Sequence, residues 1–177
     1  MSYRLDEPRI RWEAMIITIV RHGEAGDALR DKDRELTYAG TDDVSFGSHQ
    51  LRDLCGDKSL ALPDHIFYSS WRRTTQTAEI LAAAFTASVA PMEALLPGST
   101  LADVDKALSL LAQETAHCVL VGHQPMVSML VDHYIDNAGR VPPLSPGGLV
   151  SIWLDTAARG CGELLFWALP PEYRGYV

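Results

Sequence analysis

Cysteine is scarce in this chain of 177 residues, which has only Cys55, Cys118 and Cys161. An odd number at wide spacing fits neither a disulfide framework nor a zinc pattern. The three therefore read as reduced thiols in a cytoplasmic protein, with Cys118, inside "CVLVG", a small buried hydrophobe. No apolar run approaches the ~20 residues that cross a bilayer, so no membrane span is expected. The first fourteen residues, "MSYRLDEPRIRWEA", carry charges of both signs and no apolar h-region, which argues against a secretory leader. They read as an N-terminal extension, residues 1–14, with Ile10 and Trp12 expected to pack on the domain or on a neighbouring copy. Runs of Lys and Arg are missing too, and the formal charge is -8. That balance repels nucleic acid and anionic lipid, so a phosphorylated substrate would need a local positive pocket.

What the chain does have is an ordinary globular composition. Apolar residues make up 47% and charged residues 21%, near the averages for globular proteins. Residues 15–177 are expected to form one domain that buries about 70% of its unfolded surface. Short apolar runs at Met15 to Val20, Ile66 to Tyr68, Val119 to Val121, Leu149 to Leu154 and Leu164 to Trp167 read as buried strands. Between them the period lengthens. Gly40, Val44, Gly47, Leu51 and Leu54 share a helical face after an N-cap at Thr37, and the two glycines let that helix approach its neighbour closely. Further stripes run over Ala78, Leu81, Ala82 and Phe85, and over Val127, Leu130, Val131 and Tyr134. A fourth covers Leu101, Val104, Leu108 and Leu111, behind a Thr100 to Asp103 capping box. Strands alternating with helices predict an α/β fold with a mostly parallel sheet.

In such sheets ligands bind beyond the carboxyl ends of the strands. Three segments arrive there with polar residues: "RHGEAGD", "SSWRRTTQTA" and "GHQPM". Together they offer His22, His123, Arg21 and either Arg73 or Arg72. Guanidinium groups grip phosphate oxygens bidentately and keep their charge. Gly23 would let backbone approach the ligand, and Pro125 at a first helical position would leave a helix N-terminus free for an anion. A neutral imidazole aimed at phosphorus adds nucleophilic catalysis with no metal and no cofactor. Trp71 suits either the pocket rim or the core. His49, His65, His117 and His133 read as solvated or satisfied structural residues, and Glu24 and Asp27 as exposed carboxylates. The tail "PPEYRGYV" is expected to fold over a neighbour or to fray.

The motifs "IVRHGEA", "DRELTYAG", "SSWRRTTQTAEIL" and "VLVGHQPMV", in that order from Met15 to about Leu154, resemble the histidine phosphatase superfamily, also called phosphoglycerate-mutase-like. The short length and "DRELTYAG" resemble its SixA-type branch of phosphohistidine phosphatases. That resemblance implies a three-layer α/β/α fold with His22 as the phosphorylated nucleophile. Arg21, Arg73 and His123 would bind the phosphoryl group, with Gly23 beside them. Arg73 matches better than Arg72, because it lies three residues before Gln76-Thr77. Glu93 in "PMEALLPG" is the nearest candidate for a general acid, although counting back from Pro97 puts Ala94 at the matching position. Ser145, before the turn Gly147-Gly148, could reach the ligand. The implied substrate is a phosphorylated protein carrying phosphohistidine. The alternatives are a small phosphorylated metabolite and, from another class, a non-catalytic phosphate-binding domain.

Overall fold

The computed structural model describes residues 14–111 and 115–177. The expected packing of Ile10 and Trp12 lies outside the described residues. Strand β1 (Met15–Arg21) is hydrogen-bonded to parallel β4 (His117–Gly122) on one side and to antiparallel β5 (Leu149–Leu154) on the other. Beyond β4 lie parallel β2 (His65–Tyr68) and β3 (Ser88–Pro91), and beyond β5 lies antiparallel β6 (Gly162–Ala168). The order is β3-β2-β4-β1-β5-β6, so five strands run in one direction and β5 alone is reversed.

Period-two alternation divides the interior between the two faces of this sheet. Ile17 and Ile19 of β1, with Cys118 and Leu120 of β4, share a core with α3 (Leu101–Ser109) and α4 (Met126–Ile135). Val20, Val119 and Val121 face the opposite way, against α1 (Tyr38–Asp57) and α2 (Arg72–Phe85). This is the expected α/β/α sandwich. Each large aliphatic fully removed from water, such as Ile17 or Leu120, contributes about 1.5–3 kcal/mol. Cys118 is one of these buried side chains, and its thiol is free.

Local signals place the helices. Thr37 Oγ1 accepts from the Gly40 amide at 2.9 Å and starts α1, and the Thr100–Asp103 capping box starts α3. Pro125 stands at the N-cap of α4, one position before the first helical residue, Met126, instead of at the first helical position as expected. Gly40 and Gly47 serve close approach as expected, but not to another helix. A Cβ at Gly40 would stand 2.2 Å from the Glu24 carbonyl oxygen, and one at Gly47 would stand 2.6 Å from the Tyr173 ring. The sequence reading missed β3. It is an edge strand that ends in proline and leaves Val89 46% exposed, so it offers no apolar run to detect.

The tail folds over its own domain instead of fraying. Tyr173 is buried and donates to the Gly147 carbonyl at 3.0 Å, and Tyr176 pairs with Trp167 and stacks on it. Gly147 in turn donates its amide to the carbonyls of Arg21 and His22. The tail thus braces the loop that grips the end of β1.

Candidate active site

The parallel run β2-β4-β1 brings the three polar segments together. Arg21 is in register with Gly122, and Tyr68 with Val121. One step further, the His22 amide donates to the Gly122 carbonyl at 3.1 Å and the Ser69 amide to Val121 at 3.1 Å. Sheet pairing therefore fixes where His22, Ser69 and His123 leave the strands.

His22 is 8% exposed, and its ring centroid is 5.2 Å from that of His123. Its Nδ1–H donates to the Gly23 carbonyl at 2.8 Å, which fixes the tautomer and makes Nε2 the acceptor, with its lone pair in the ring plane. Nε2 accepts from Arg73 Nε at 3.0 Å. Burial holds the imidazole near pKa 4, reinforced by the charges of Arg73, Arg21 and Arg34 and opposed by the Gly23 hydrogen bond. His22 is therefore neutral at physiological pH. A neutral ring that donates at one nitrogen and keeps an unprotonated lone pair at the other is what a nucleophile needs, once the Arg73 Nε–H turns from Nε2 to a phosphoryl oxygen.

Arg73 lies one residue into α2 and is buried. Its Nη1 donates to the Asp31 carbonyl at 2.7 Å, and its Nη2 stands 3.3 Å from the Asp31 carboxylate. Its guanidinium also packs over the Trp71 ring, 4.8 Å from the centroid. Burial lowers its pKa and the Asp31 carboxylate opposes that, while a guanidinium stays charged at working pH. Arg21 leaves β1 on the Ile17–Ile19 face, and its Nη1 donates to the Leu144 carbonyl at 2.9 Å. Its Nε is buried with no partner among the described residues. Burial and then the Arg73 charge lower its pKa. His123 Nε2 is 2.8 Å from Ser69 Oγ, and its Nδ1 is a buried atom with no partner among the described residues. Burial, then the neighbouring His22 and Arg73, bring its pKa to about 3. Trp71 packs edge-on against His123 at 5.0 Å, which places it at the pocket.

Other expectations fall elsewhere. Gly23 does not offer its amide to a ligand, because that N–H donates to Thr77 Oγ1 at 3.1 Å. A Cβ there would meet the Gly40 carbonyl and Val44 at 2.8 Å, so the missing side chain serves the packing of α1. Arg72 is half exposed and paired with Glu35 at 3.0 Å. Glu93 is exposed on the one-turn helix Glu93–Leu95, while Ala94 packs on the core. Ser145 Oγ is buried without a partner among the described residues, and the residue lines a shallow cleft with Glu24 and Asp43.

The sequence reading missed Asp31, Arg34, Ser69 and the tethering roles of Gln76 and Thr77. Arg34 donates to the carbonyls of Gly26 and Ala25 and to Asp31 Oδ1, so Asp31 links two guanidiniums. These charges hold the Asp31 carboxyl below its ordinary pKa. Gln76 Oε1 accepts from the Leu36 amide at 2.8 Å, tying the "DRELT" loop to α2. Alternating charges in "RDKDRE" look like any solvated loop, so only the resemblance of "DRELTYAG" could have marked Arg34, and Asp31 lies outside that motif.

No protein-family model and no curated protein matches the chain. Solved structures do. The protein histidine phosphatase SixA, complexed with tungstate, is 27% identical over 88% of this chain and 97% of its own, with a TM-score of 0.74. A candidate phosphohistidine phosphatase SixA of Nakamurella multipartitia is 22% identical over 89% of this chain and 97% of its own, at 0.72. The mycobacterial glucosyl-3-phosphoglycerate phosphatase is 15% identical over 86% and 97%, at 0.64. The chain has the phosphoglycerate-mutase-like fold of the histidine phosphatase superfamily. In architecture the chain is similar to SixA-type structures of that superfamily.

Proposed function

We propose that this chain is a phosphatase that hydrolyses phosphohistidine in proteins through a phosphorylated His22. One observation carries the reading: His22 is neutral, its Nδ1–H is tied to Gly23, and its Nε2 lone pair faces Arg73. In the first half-reaction Nε2 attacks phosphorus in line. The new N–P bond forms as the substrate's N–P bond breaks, and the imidazole, already protonated on its other nitrogen, departs neutral with that electron pair. Arg21, Arg73 and His123 stabilise the equatorial oxygens as charge spreads over them. Arg73 can grip two of those oxygens once its Nη groups let go of Asp31. Water then attacks phosphorus and the bond to His22 breaks. Inorganic phosphate and neutral His22 remain, and the water's proton passes to solvent.

Imidazole is a leaving group that carries its own proton, which suits a site where Glu93 is exposed and its neighbour Ala94 is apolar. The likeness to a protein histidine phosphatase SixA supports the same substrate class. The charge of -8 disfavours nucleic acid and anionic lipid as partners. No helix among the described residues is long and apolar enough to cross a membrane, and the three thiols are free, which supports a cytoplasmic location. Residues 15–177 act as one domain.

Release of inorganic phosphate from phosphoimidazole and from a phosphohistidine peptide tests the reading. The wild type should hydrolyse both and His22→Ala neither. The second reading, a small-molecule phosphomonoesterase of the same superfamily, would be favoured by faster turnover of sugar phosphates or phosphoglycerates than of the peptide.

A further inference from the structure

Arg73 turns one edge of its guanidinium, the Nε–Nη2 fork, towards His22. Nε donates to His22 Nε2 at 3.0 Å, and Nη2 on the same edge stands 3.3 Å from Asp31 Oδ2. A phosphoryl group bonded to His22 Nε2 needs that edge for its oxygens, because guanidinium grips phosphate through paired donors. The Asp31 carboxylate therefore holds a place that the phosphoryl group must take, and two anions on one fork repel. The carboxylate is built to give way. Its side chain is 56% exposed, on the one-turn helix Asp31–Asp33, whereas that of Arg73 is 6% exposed. It also has a second cation to retreat to. Asp31 Oδ1 lies 3.2 Å from Arg34 Nη1, and the Gly26 and Ala25 carbonyls hold Arg34 in place at 2.7 and 3.0 Å.

We propose that Asp31 is an internal stand-in for the phosphoryl group, one that yields Arg73 to the substrate and on its return displaces inorganic phosphate. The inference rests on the phosphatase reading above. Substrate and product present the same group to Arg21, Arg73 and His123, so a pocket that binds one tightly also retains the other. Asp31 offsets this. As part of the chain it returns to Arg73 without the entropy cost of a second molecule associating, so it competes at a high effective concentration. Free phosphate has only its oxygens to oppose that competition. A phosphorylated protein has further contacts outside the phosphoryl group and loses less. Asp31 exchanges hydrogen bonds, makes and breaks no covalent bond, and acts through Arg73, which makes it a positioning residue.

The test is Asp31→Asn, which removes the charge and keeps the shape. Titration calorimetry gives the dissociation constant of inorganic phosphate, and competition with phosphoimidazole gives its inhibition constant. A charge-assisted hydrogen bond is worth roughly 10- to 100-fold in binding, and the exposure of Asp31 sets the expectation at the low end, a fall of about 10-fold in both constants. KM for phosphoimidazole should fall with them. Asp33→Asn takes the same charge from the same short helix, at a side chain paired with Arg30, and should leave the constants within ~2-fold because solvent screens a charge that touches no site residue. A carboxylate that merely holds Arg73 in place predicts the opposite sign, weaker phosphate binding in Asp31→Asn. That result, unchanged constants, or an equal tightening in Asp33→Asn overturns the proposal, while phosphoimidazole turnover by the wild type upholds the phosphatase. No turnover of phosphoimidazole at all would remove the phosphatase reading and the inference with it.

Discussion

Lowering the pH should unfold this protein partly through His117, a histidine the chemistry does not use. His117 is fully buried at the start of β4, where its Nδ1–H donates to the Ala61 carbonyl at 2.8 Å. Its Nε2 must therefore accept, from Thr18 Oγ at 2.6 Å, and Thr18 in turn accepts from Ser151 Oγ at 2.7 Å. Ser151, Thr18, His117 and Ala61 form one directed chain across β5, β1 and β4 that works only with a neutral ring. Burial, partly offset by the Ala61 bond and the Asp64 charge, takes the imidazole from 6.5 to about 4. A depressed pKa means that the unfolded chain binds the proton first. Stability is then fully present above pH 6.5 and is lost as pH falls towards 4. Integrated over that window the loss attributable to His117 is about 3 kcal/mol. Urea unfolding of wild type and His117→Gln near pH 7 and near pH 4 measures it as a double difference, in which the carboxylates and the other histidines cancel. The variant should be less stable at neutral pH but lose about 3 kcal/mol less on acidification. An equal loss in both proteins would refute the reasoning.

Removing Arg73 strips the hydrogen bond to His22 and the fork that would hold phosphoryl oxygens. Arg73→Ala should therefore lower kcat on phosphoimidazole by about 10²–10³, read by phosphate release, with far-ultraviolet circular dichroism unchanged. Gly40→Ala would drive a methyl group into the Glu24 backbone at 2.2 Å, beside the strand end that carries His22. It should destabilise by about 1–3 kcal/mol in urea unfolding, against the few tenths that most surface changes cost. Glu93→Gln should slow an alkyl phosphate by less than ~10-fold, because the side chain is exposed. A loss of about 10²–10⁴-fold would instead identify Glu93 as the proton donor.

The parts of the fold legible in the sequence are those where one residue type decides a local outcome. The apolar runs of β1, β4 and β5, the Thr37 cap and the Thr100 capping box each depend on a few adjacent residues. Edge strand β3 escaped because an edge needs no buried face. At the site, Arg21, His22, Arg73 and His123 stood out because a buried strand rarely ends on a cation and an imidazole, and the structure brings the four together. What stayed hidden depends on partners far along the chain. Asp31 reaches across 42 residues to Arg73, and Ser69 across 54 to His123, and neither spacing is visible in a local window. Gly23 misled for a related reason. A glycine beside a candidate ligand site invites a ligand role, whereas its missing side chain makes room for Gly40 and Val44 of α1.

The central claim is that His22 Nε2 takes the phosphoryl group, and trapping the enzyme during turnover tests it most directly. Rapid denaturing quench with phosphoimidazole, followed by peptide mapping, should find an acid-labile, alkali-stable phosphate on His22, and none in His22→Ala. Label on another residue, or full turnover by His22→Ala with no phosphoenzyme, would contradict it.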